Sequence, residues 1–241
     1  MHELKARVPG PYGEIPLLML HRGGAFRGTV LLFHGLRSQS RDNHAELALL
    51  AERGFLAVGV DAIAHGERRA SDFDEQVGRG FHSWLRWVQE TANEVPVLVD
   101  ALAALLGPRM GKLGLTGISM GGYVAYAAAL REPRVAALVP ILGSPDWTGG
   151  GQHETAFSGA SPHHHPEGFA PRPLLALNAG QDQSVPPRHT RAFLERLRPY
   201  YAATPEALQY HEYPESGHFM SGEDWRDVWV RTGAWFERWL V

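Results

Sequence analysis

Short apolar segments alternate with segments of helical periodicity from about residue 29 to the C-terminus, and this alternation restricts the fold more than any other feature. Short buried strands separated by helices are typical of a mostly parallel, twisted sheet with helices on both faces. The predicted strands are residues 29–33, 55–60, 112–116, 135–142, 173–178 and 208–213. Helices are predicted at residues 43–53, 94–106 and 221–240. The chain is therefore predicted to adopt an α/β fold.

The helix at 94–106 has an unusual start. Thr91 and Glu94 have the spacing of a capping box, which marks a helix N-terminus. Pro96 is tolerated only in the first turn, because it lacks an amide hydrogen and its ring clashes with the preceding turn of a helix. We therefore expect this helix to begin near Glu94.

Two regions interrupt the alternation. Residues 62–91 contain a charged stretch, followed by Phe81 and Trp84 on one face of an apparent helix. Residues 143–171 are rich in Gly, Pro, Ser and His, and a segment of this length without regular structure is usually a binding loop or a lid. We expect a single domain over residues 1–241, in which both regions overhang the functional site and 143–171 forms a short lid-like insertion.

The composition excludes several classes of protein and site. The 241 residues include 23 basic and 26 acidic side chains, and the net charge of −3 offers no basic surface for nucleic acid or an anionic membrane. The chain has no cysteine, which excludes disulfides, thiolate metal sites and a cysteine nucleophile. It has no signal peptide and no 18-residue apolar run, so we expect a cytoplasmic protein without membrane attachment. The oligomeric state stays open, and a homo-oligomer is one option.

A candidate nucleophile lies in the sequence Gly117-Ile118-Ser119-Met120-Gly121, between the predicted strand at 112–116 and a stretch of small residues. The pattern Gly-x-Ser-x-Gly between a strand and a helix is typical of a nucleophile elbow, a tight turn that presents a serine hydroxyl. The two glycines are needed because side chains at their positions would clash in the turn. Ser119 is therefore the candidate nucleophile.

Four matched positions make the chain resemble the α/β-hydrolase family over nearly its whole length. The first is His34-Gly35 after the strand at 29–33, and the others are Ser119, Asp182 and His218 in the family's order of nucleophile, acid and base. Within the family, the chain is most similar to serine esterases related to the dienelactone-hydrolase and prolyl-oligopeptidase catalytic domains. The resemblance implies an α/β-hydrolase fold and a catalytic triad of Ser119, Asp182 and His218.

The resemblance also implies an oxyanion hole and a substrate pocket. The two oxyanion donors are expected to be the backbone N–H groups of Leu36 and Met120. Trp147 is a candidate substrate-binding residue, because it lies with Phe157 in the loop 143–171. These aromatic side chains could form the wall of the acyl pocket or only hold the loop in place. No metal and no organic cofactor are expected.

Other histidines in the chain have structural interpretations. His34 and His65 are expected to be loop and turn residues. The histidines at 163–165 are expected in a solvated loop, since consecutive side chains cannot all face one metal ion. A metal-binding protein built on His153 and residues 163–165 is the weaker alternative.

The sequence thus predicts a serine hydrolase that cleaves a small carboxylic ester through an acyl-enzyme, with a small-molecule acyl ester as its partner. A peptidase, thioesterase or lipase on the same fold is the nearest alternative. A non-catalytic ligand-binding protein with this fold is a second alternative, but such a protein is expected to lack at least one triad residue. The natural substrate is not specified by these patterns.

Overall fold

Eight strands form one sheet in the computed structural model, which describes residues 1–148 and 158–241. The strands are β1 (His2–Gly10), β2 (Gly13–His21), β3 (Thr29–Phe33), β4 (Leu56–Val60), β5 (Leu113–Ile118), β6 (Val135–Ile141), β7 (Leu174–Ala179) and β8 (Leu208–Tyr213). Their spatial order is β1-β2-β4-β3-β5-β6-β7-β8. The pairs β1–β2 and β2–β4 are antiparallel, and all other neighbours are parallel. The predicted mostly parallel sheet is confirmed.

Helices cover both faces of this sheet, as predicted. They are α1 (His44–Glu52), α2 (Phe73–Gly78), α3 (Phe81–Leu106), α4 (Met120–Arg131), α5 (Pro187–Leu197) and α6 (Gly222–Trp239). One face carries α3, α4 and α5, and the other carries α1 and α6. The carboxyl ends of the parallel strands meet at one edge of the sheet, where the loops that follow them can combine their side chains into one site.

The chain before residue 29 forms two strands that the alternation did not predict. β1 and β2 make a hairpin around Pro11-Tyr12, and β2 extends the sheet by pairing with β4. Residues 15–20 are buried, but Pro16 interrupts their apolar run, and proline is uncommon inside a strand. β1 is exposed along most of its length, so its sequence carries little apolar signal.

The prediction for the start of the third helix was wrong. α3 begins at Phe81 rather than near Glu94, and Pro96 lies well inside it. Thr91 is buried within the helix, where its hydroxyl accepts a hydrogen bond of 3.0 Å from the backbone N–H of Ile63. The apparent capping box therefore serves contacts between α3 and the loop after β4, and does not start a helix.

Among the helices of residues 1–148 and 158–241, none is long and apolar enough to cross a bilayer.

Candidate active site

Ser119 lies in the sharp turn between the end of β5 and the start of α4. Its backbone has φ 55° and ψ −114°, which is a strained conformation for a residue with a side chain. The Ser119 N–H donates a hydrogen bond of 2.8 Å to the carbonyl oxygen of Ile141 on the neighbouring strand β6. The turn is thereby fixed to the sheet.

The two glycines of the elbow are required by close backbone contacts. A Cβ atom at Gly117 would overlap the backbone of Gly121, and a Cβ atom at Gly121 would overlap the carbonyl group of Phe33. Both hypothetical atoms come nearer than 3.0 Å to backbone atoms, which cannot move aside as a side chain can. The pattern Gly-x-Ser-x-Gly is therefore a packing requirement between β3, β5 and α4.

Ser119, His218 and Asp182 form a continuous hydrogen-bonded chain. The Ser119 Oγ lies 3.0 Å from the His218 Nε2, and the His218 Nδ1 lies 2.7 Å from the Asp182 Oδ2. The second carboxylate oxygen of Asp182 accepts hydrogen bonds of 2.8 Å from the backbone N–H groups of Ser184 and Val185. Asp182 is buried and His218 is partly exposed, so the imidazole can exchange protons with bound molecules while the carboxylate cannot rotate away.

The loops that carry Asp182 and His218 are joined to each other. These loops follow the adjacent strands β7 and β8, and the Gln181 N–H donates to the Ser216 carbonyl oxygen at 2.9 Å. The Ser216 hydroxyl in turn donates to the Asp224 carboxylate in the first turn of α6 at 2.6 Å. These two contacts fix the separation between Asp182 and His218.

Leu36 and Met120 line the same cavity as Ser119. Within the described residues, the backbone N–H groups of Leu36 and Met120 have no hydrogen-bond acceptor. His34 holds the Leu36 loop in place, since its Nδ1 donates to the Gly35 carbonyl oxygen at 2.8 Å and its Nε2 accepts from the Ala62 N–H at 3.1 Å. Burial lowers the pKa of His34, which keeps this ring neutral.

The cavity in front of Ser119 has a volume of about 650 Å³ and mainly apolar walls. One wall comes from Phe81 and Trp84 in the first turn of α3. Phe219, which follows the triad histidine, stands at the mouth with 95% of its surface exposed. A site of this size and character accepts a small organic molecule in contact with the serine hydroxyl.

Comparison with known proteins decides the family. The model of the dienelactone hydrolase family matches residues 27–238, which is most of the chain. The chain belongs to the dienelactone hydrolase family. Proteins of this family are hydrolases of the α/β-hydrolase fold, as the sequence predicted.

One curated relative and two solved structures are similar to this dienelactone hydrolase family member, and the solved structures share its fold. A Bacillus subtilis protein named "Putative esterase YitV" is 28% identical over 233 residues, which are 88% of this chain and 89% of the relative. TT1662 from Thermus thermophilus superposes with a TM-score of 0.76 at 24% identity, over 100% of this chain and 99% of that one. The acylaminoacyl peptidase of Pyrococcus horikoshii superposes with a TM-score of 0.77 at 17% identity, over 99% of this chain and 42% of the peptidase.

Trp147 does not line the cavity in front of Ser119, so of its two expected roles the pocket wall is not observed. Its side chain is fully buried in the core with α4 and α5. Its backbone N–H donates to the hydroxyl of buried Ser161 at 2.8 Å, which holds the start of the loop 143–171 against the protein. Phe157 and His153 lie outside the described residues.

The histidines at 163–165 differ from one another in this family member. His164 and His165 are exposed, as expected for a solvated loop. His163 is partly buried, with its Nδ1 2.7 Å from the Ser161 hydroxyl and 3.5 Å from the Asp146 carboxylate. Across residues 1–148 and 158–241, no three His, Asp or Glu side chains are arranged to hold a metal ion.

The sequence analysis missed part of the cavity wall. Phe81 and Trp84 belong to the region 62–91 that was expected to overhang the site, but they were not named as wall residues, and Phe219, Met220 and Trp225 were not assigned to the site. The position of Phe219 near the site could be predicted, because it follows His218 directly. The position of Trp225 could not, because it belongs to an amphipathic helix that also packs on the sheet.

Proposed function

We propose that this protein is a serine hydrolase that cleaves small carboxylic esters through an acyl-enzyme intermediate. The observation that carries the proposal is the hydrogen-bonded chain from Ser119 through His218 to buried Asp182, with distances of 3.0 and 2.7 Å. Membership of the dienelactone hydrolase family supports the same conclusion. In this proposal the protein works without a metal or organic cofactor, as one compact domain.

The first half of the reaction forms the acyl-enzyme. Ser119 Oγ attacks the ester carbonyl carbon while its proton passes to His218 Nε2. Asp182 accepts the Nδ1–H bond of the imidazole, keeps the productive tautomer and stabilises the positive charge that develops. The carbonyl oxygen becomes an oxyanion, which accepts hydrogen bonds from the N–H groups of Leu36 and Met120. The bond to the alcohol oxygen then breaks, and His218 gives its proton to the leaving alcohol.

The second half repeats these steps with water. A water molecule gives one proton to His218 as its oxygen attacks the acyl carbon. The same two backbone N–H groups stabilise the second oxyanion. When the intermediate collapses, the proton returns from His218 to Ser119 Oγ, and the carboxylic acid leaves the site. Every proton in these steps has a named donor and acceptor, so the proposed mechanism needs no cofactor.

A peptidase activity is the second candidate, and it is favoured by the structural similarity to the Pyrococcus horikoshii acylaminoacyl peptidase. The same triad could cleave an amide if the cavity positioned one. Thioesters and lipid esters share this chemistry as well. Chromogenic acyl esters of two to sixteen carbons, the corresponding acyl-CoA thioesters and acyl-peptide p-nitroanilides separate these options by their relative kcat/KM.

The direct test compares Ser119→Ala with Ser71→Ala, which changes an exposed serine far along the chain from the elbow. On p-nitrophenyl butyrate, Ser119→Ala is expected to lose at least about 10³-fold in kcat, because the nucleophile is absent. Ser71→Ala is expected to keep the wild-type rate. Both variants should show the circular dichroism and melting temperature of the wild type. A folded Ser119→Ala protein with near wild-type rate would refute the proposal.

A further inference from the structure

The cavity in front of Ser119 has no lysine or arginine among its described lining residues, and residues 149–157 contain neither. Arg37 belongs to the loop of Leu36, but its guanidinium lies 2.8 Å from the Asp74 carboxylate and 5.9 Å from the Phe73 ring centre. A carboxylate bound in this cavity would therefore find no lysine or arginine partner among the described lining residues.

One wall of the cavity is a packed group of aromatic rings. The rings of Phe81 and Trp84 meet edge to face at 4.7 Å, and Tyr123 contacts them edge to face at 5.8 and 5.5 Å respectively. Tyr123 is buried in α4, and this burial raises the pKa of its phenol, which therefore stays uncharged. Rings fixed in this way present a rigid apolar surface to a bound molecule.

Other lining residues are apolar as well, and they include Val185, Leu142, Met220 and the indole of Trp225. The Trp225 Nε1–H donates to the Glu46 carboxylate at 3.0 Å, so the polar atom of this ring is already bonded. The other polar side chains of the described lining, apart from Ser119 and His218, are the uncharged Ser38, Asn43 and Ser184, and the Ser38 hydroxyl donates to the Asp42 carboxylate at 2.9 Å. The described lining therefore offers no lysine or arginine to an anionic substrate.

We propose that this site selects esters whose acyl group is uncharged and apolar, and discriminates against acyl groups that end in a carboxylate. The proposal rests on the esterase function proposed above and specifies its substrate class. A carboxylate that enters an apolar cavity loses its hydration without gaining a cation or equivalent hydrogen bonds, which is strongly unfavourable. An alkyl chain or aromatic ring instead gains contact with the wall formed by Phe81 and Trp84.

The test uses two substrates with the same leaving group. They are p-nitrophenyl hexanoate and the mono-p-nitrophenyl ester of glutaric acid, whose carboxylate replaces the end of the alkyl chain. Each kcat/KM is divided by the rate constant for hydrolysis of that ester by hydroxide, which removes the difference in intrinsic reactivity. The normalised ratio is expected to favour the hexanoate by about 30-fold or more. Any smaller ratio would overturn the proposal.

A charge introduced into the cavity should change this ratio. Phe81→Arg is expected to lower the preference for the hexanoate at least about tenfold relative to Phe81→Gln, which removes the same ring without adding charge. Because Phe81 also supports α3, the same pair is made at Phe219, whose side chain is 95% exposed and can be changed without loss of folding. If Arg and Gln give equal ratios at both positions, the absence of a cation does not cause the selectivity, and the proposal fails.

The experiment also separates the two proposals from each other. Ser119→Ala is included with both esters. If neither ester shows hydrolysis that depends on Ser119, the proposed esterase function itself is wrong. If both esters are cleaved at equal normalised rates that depend on Ser119, only the substrate class is wrong.

Discussion

Protonation of the buried His65 side chain is expected to destabilise the protein at acid pH. The His65 side chain is buried and meets the stacked rings of Phe73 and Trp87 edge to face, with ring centres at 4.8 and 5.4 Å. Its Nδ1 donates to the Ile63 carbonyl oxygen at 2.9 Å, and its buried Nε2 has no hydrogen-bond partner within the described residues. Burial therefore lowers the pKa of His65 to about 4.

The direction and size of the effect follow from this pKa. In the unfolded chain His65 has its ordinary pKa of about 6.5, so the unfolded state binds the proton first as the pH falls. The contribution of neutral His65 to the free energy of unfolding is fully present above about pH 6.5, and it is lost progressively as the pH falls towards about 4. The loss in the free energy of unfolding reaches about 2 kcal/mol at pH 5 and approaches about 3.4 kcal/mol below pH 4, at 1.36 kcal/mol per pH unit.

The assay is urea denaturation of the wild type, His65→Phe and His164→Phe at pH 8 and pH 5. His65→Phe keeps a ring against Phe73 and Trp87 but cannot bind a proton, so its loss of stability between the two pH values should be about 2 kcal/mol smaller than that of the wild type. The exposed His164 serves as the matched control, and its variant should follow the wild type. Equal losses in wild type and His65→Phe would refute the reasoning.

Two further predictions concern the triad and the elbow. Asp182→Asn should fold normally but lose about 10⁴-fold in kcat on p-nitrophenyl butyrate, because the amide no longer stabilises the His218 cation or its tautomer; a loss below tenfold would contradict this role. Gly121→Ala should destabilise the protein by more than about 4 kcal/mol in urea denaturation, since its Cβ would overlap the Phe33 carbonyl, whereas Gly222→Ala meets no atom within 4 Å and should be within about 0.5 kcal/mol of the wild type. Equal stability of these two alanine variants would show that the elbow tolerates a side chain.

The part of the fold around the elbow was predictable because its signals are local. The residues of β3 and β4 are buried at every position, so these strands appear in the sequence as unbroken apolar runs. Gly117 and Gly121 indicate close backbone contacts, because a Cβ atom at either position would overlap backbone atoms. Asp182 and His218 meet because parallel strands bring the loops at their carboxyl ends to one edge of the sheet.

The remaining parts depend on tertiary contacts that a local pattern does not contain. Thr91 and Glu94 have cap spacing, but Glu94 forms a buried pair with Arg68 at 2.6 and 2.7 Å, and α3 continues past both residues. Trp147 lies in a polar segment, and its burial depends on α4 and α5, which are distant in sequence. In both cases a side chain has a partner in another element, and that partner decides its position.

The most direct measurement of the central claim is labelling with a fluorophosphonate probe, followed by mass spectrometry of the tryptic peptides. Residues 113–131 form one tryptic peptide in which Ser119 is the only serine, so the modified site is unambiguous. An activated serine is expected to take up one probe per chain at Ser119, and His218→Ala should abolish the labelling because the hydroxyl loses its base. An intact protein that stays unlabelled, or that is labelled elsewhere while Ser119 remains free, would contradict the assignment of Ser119 as the nucleophile.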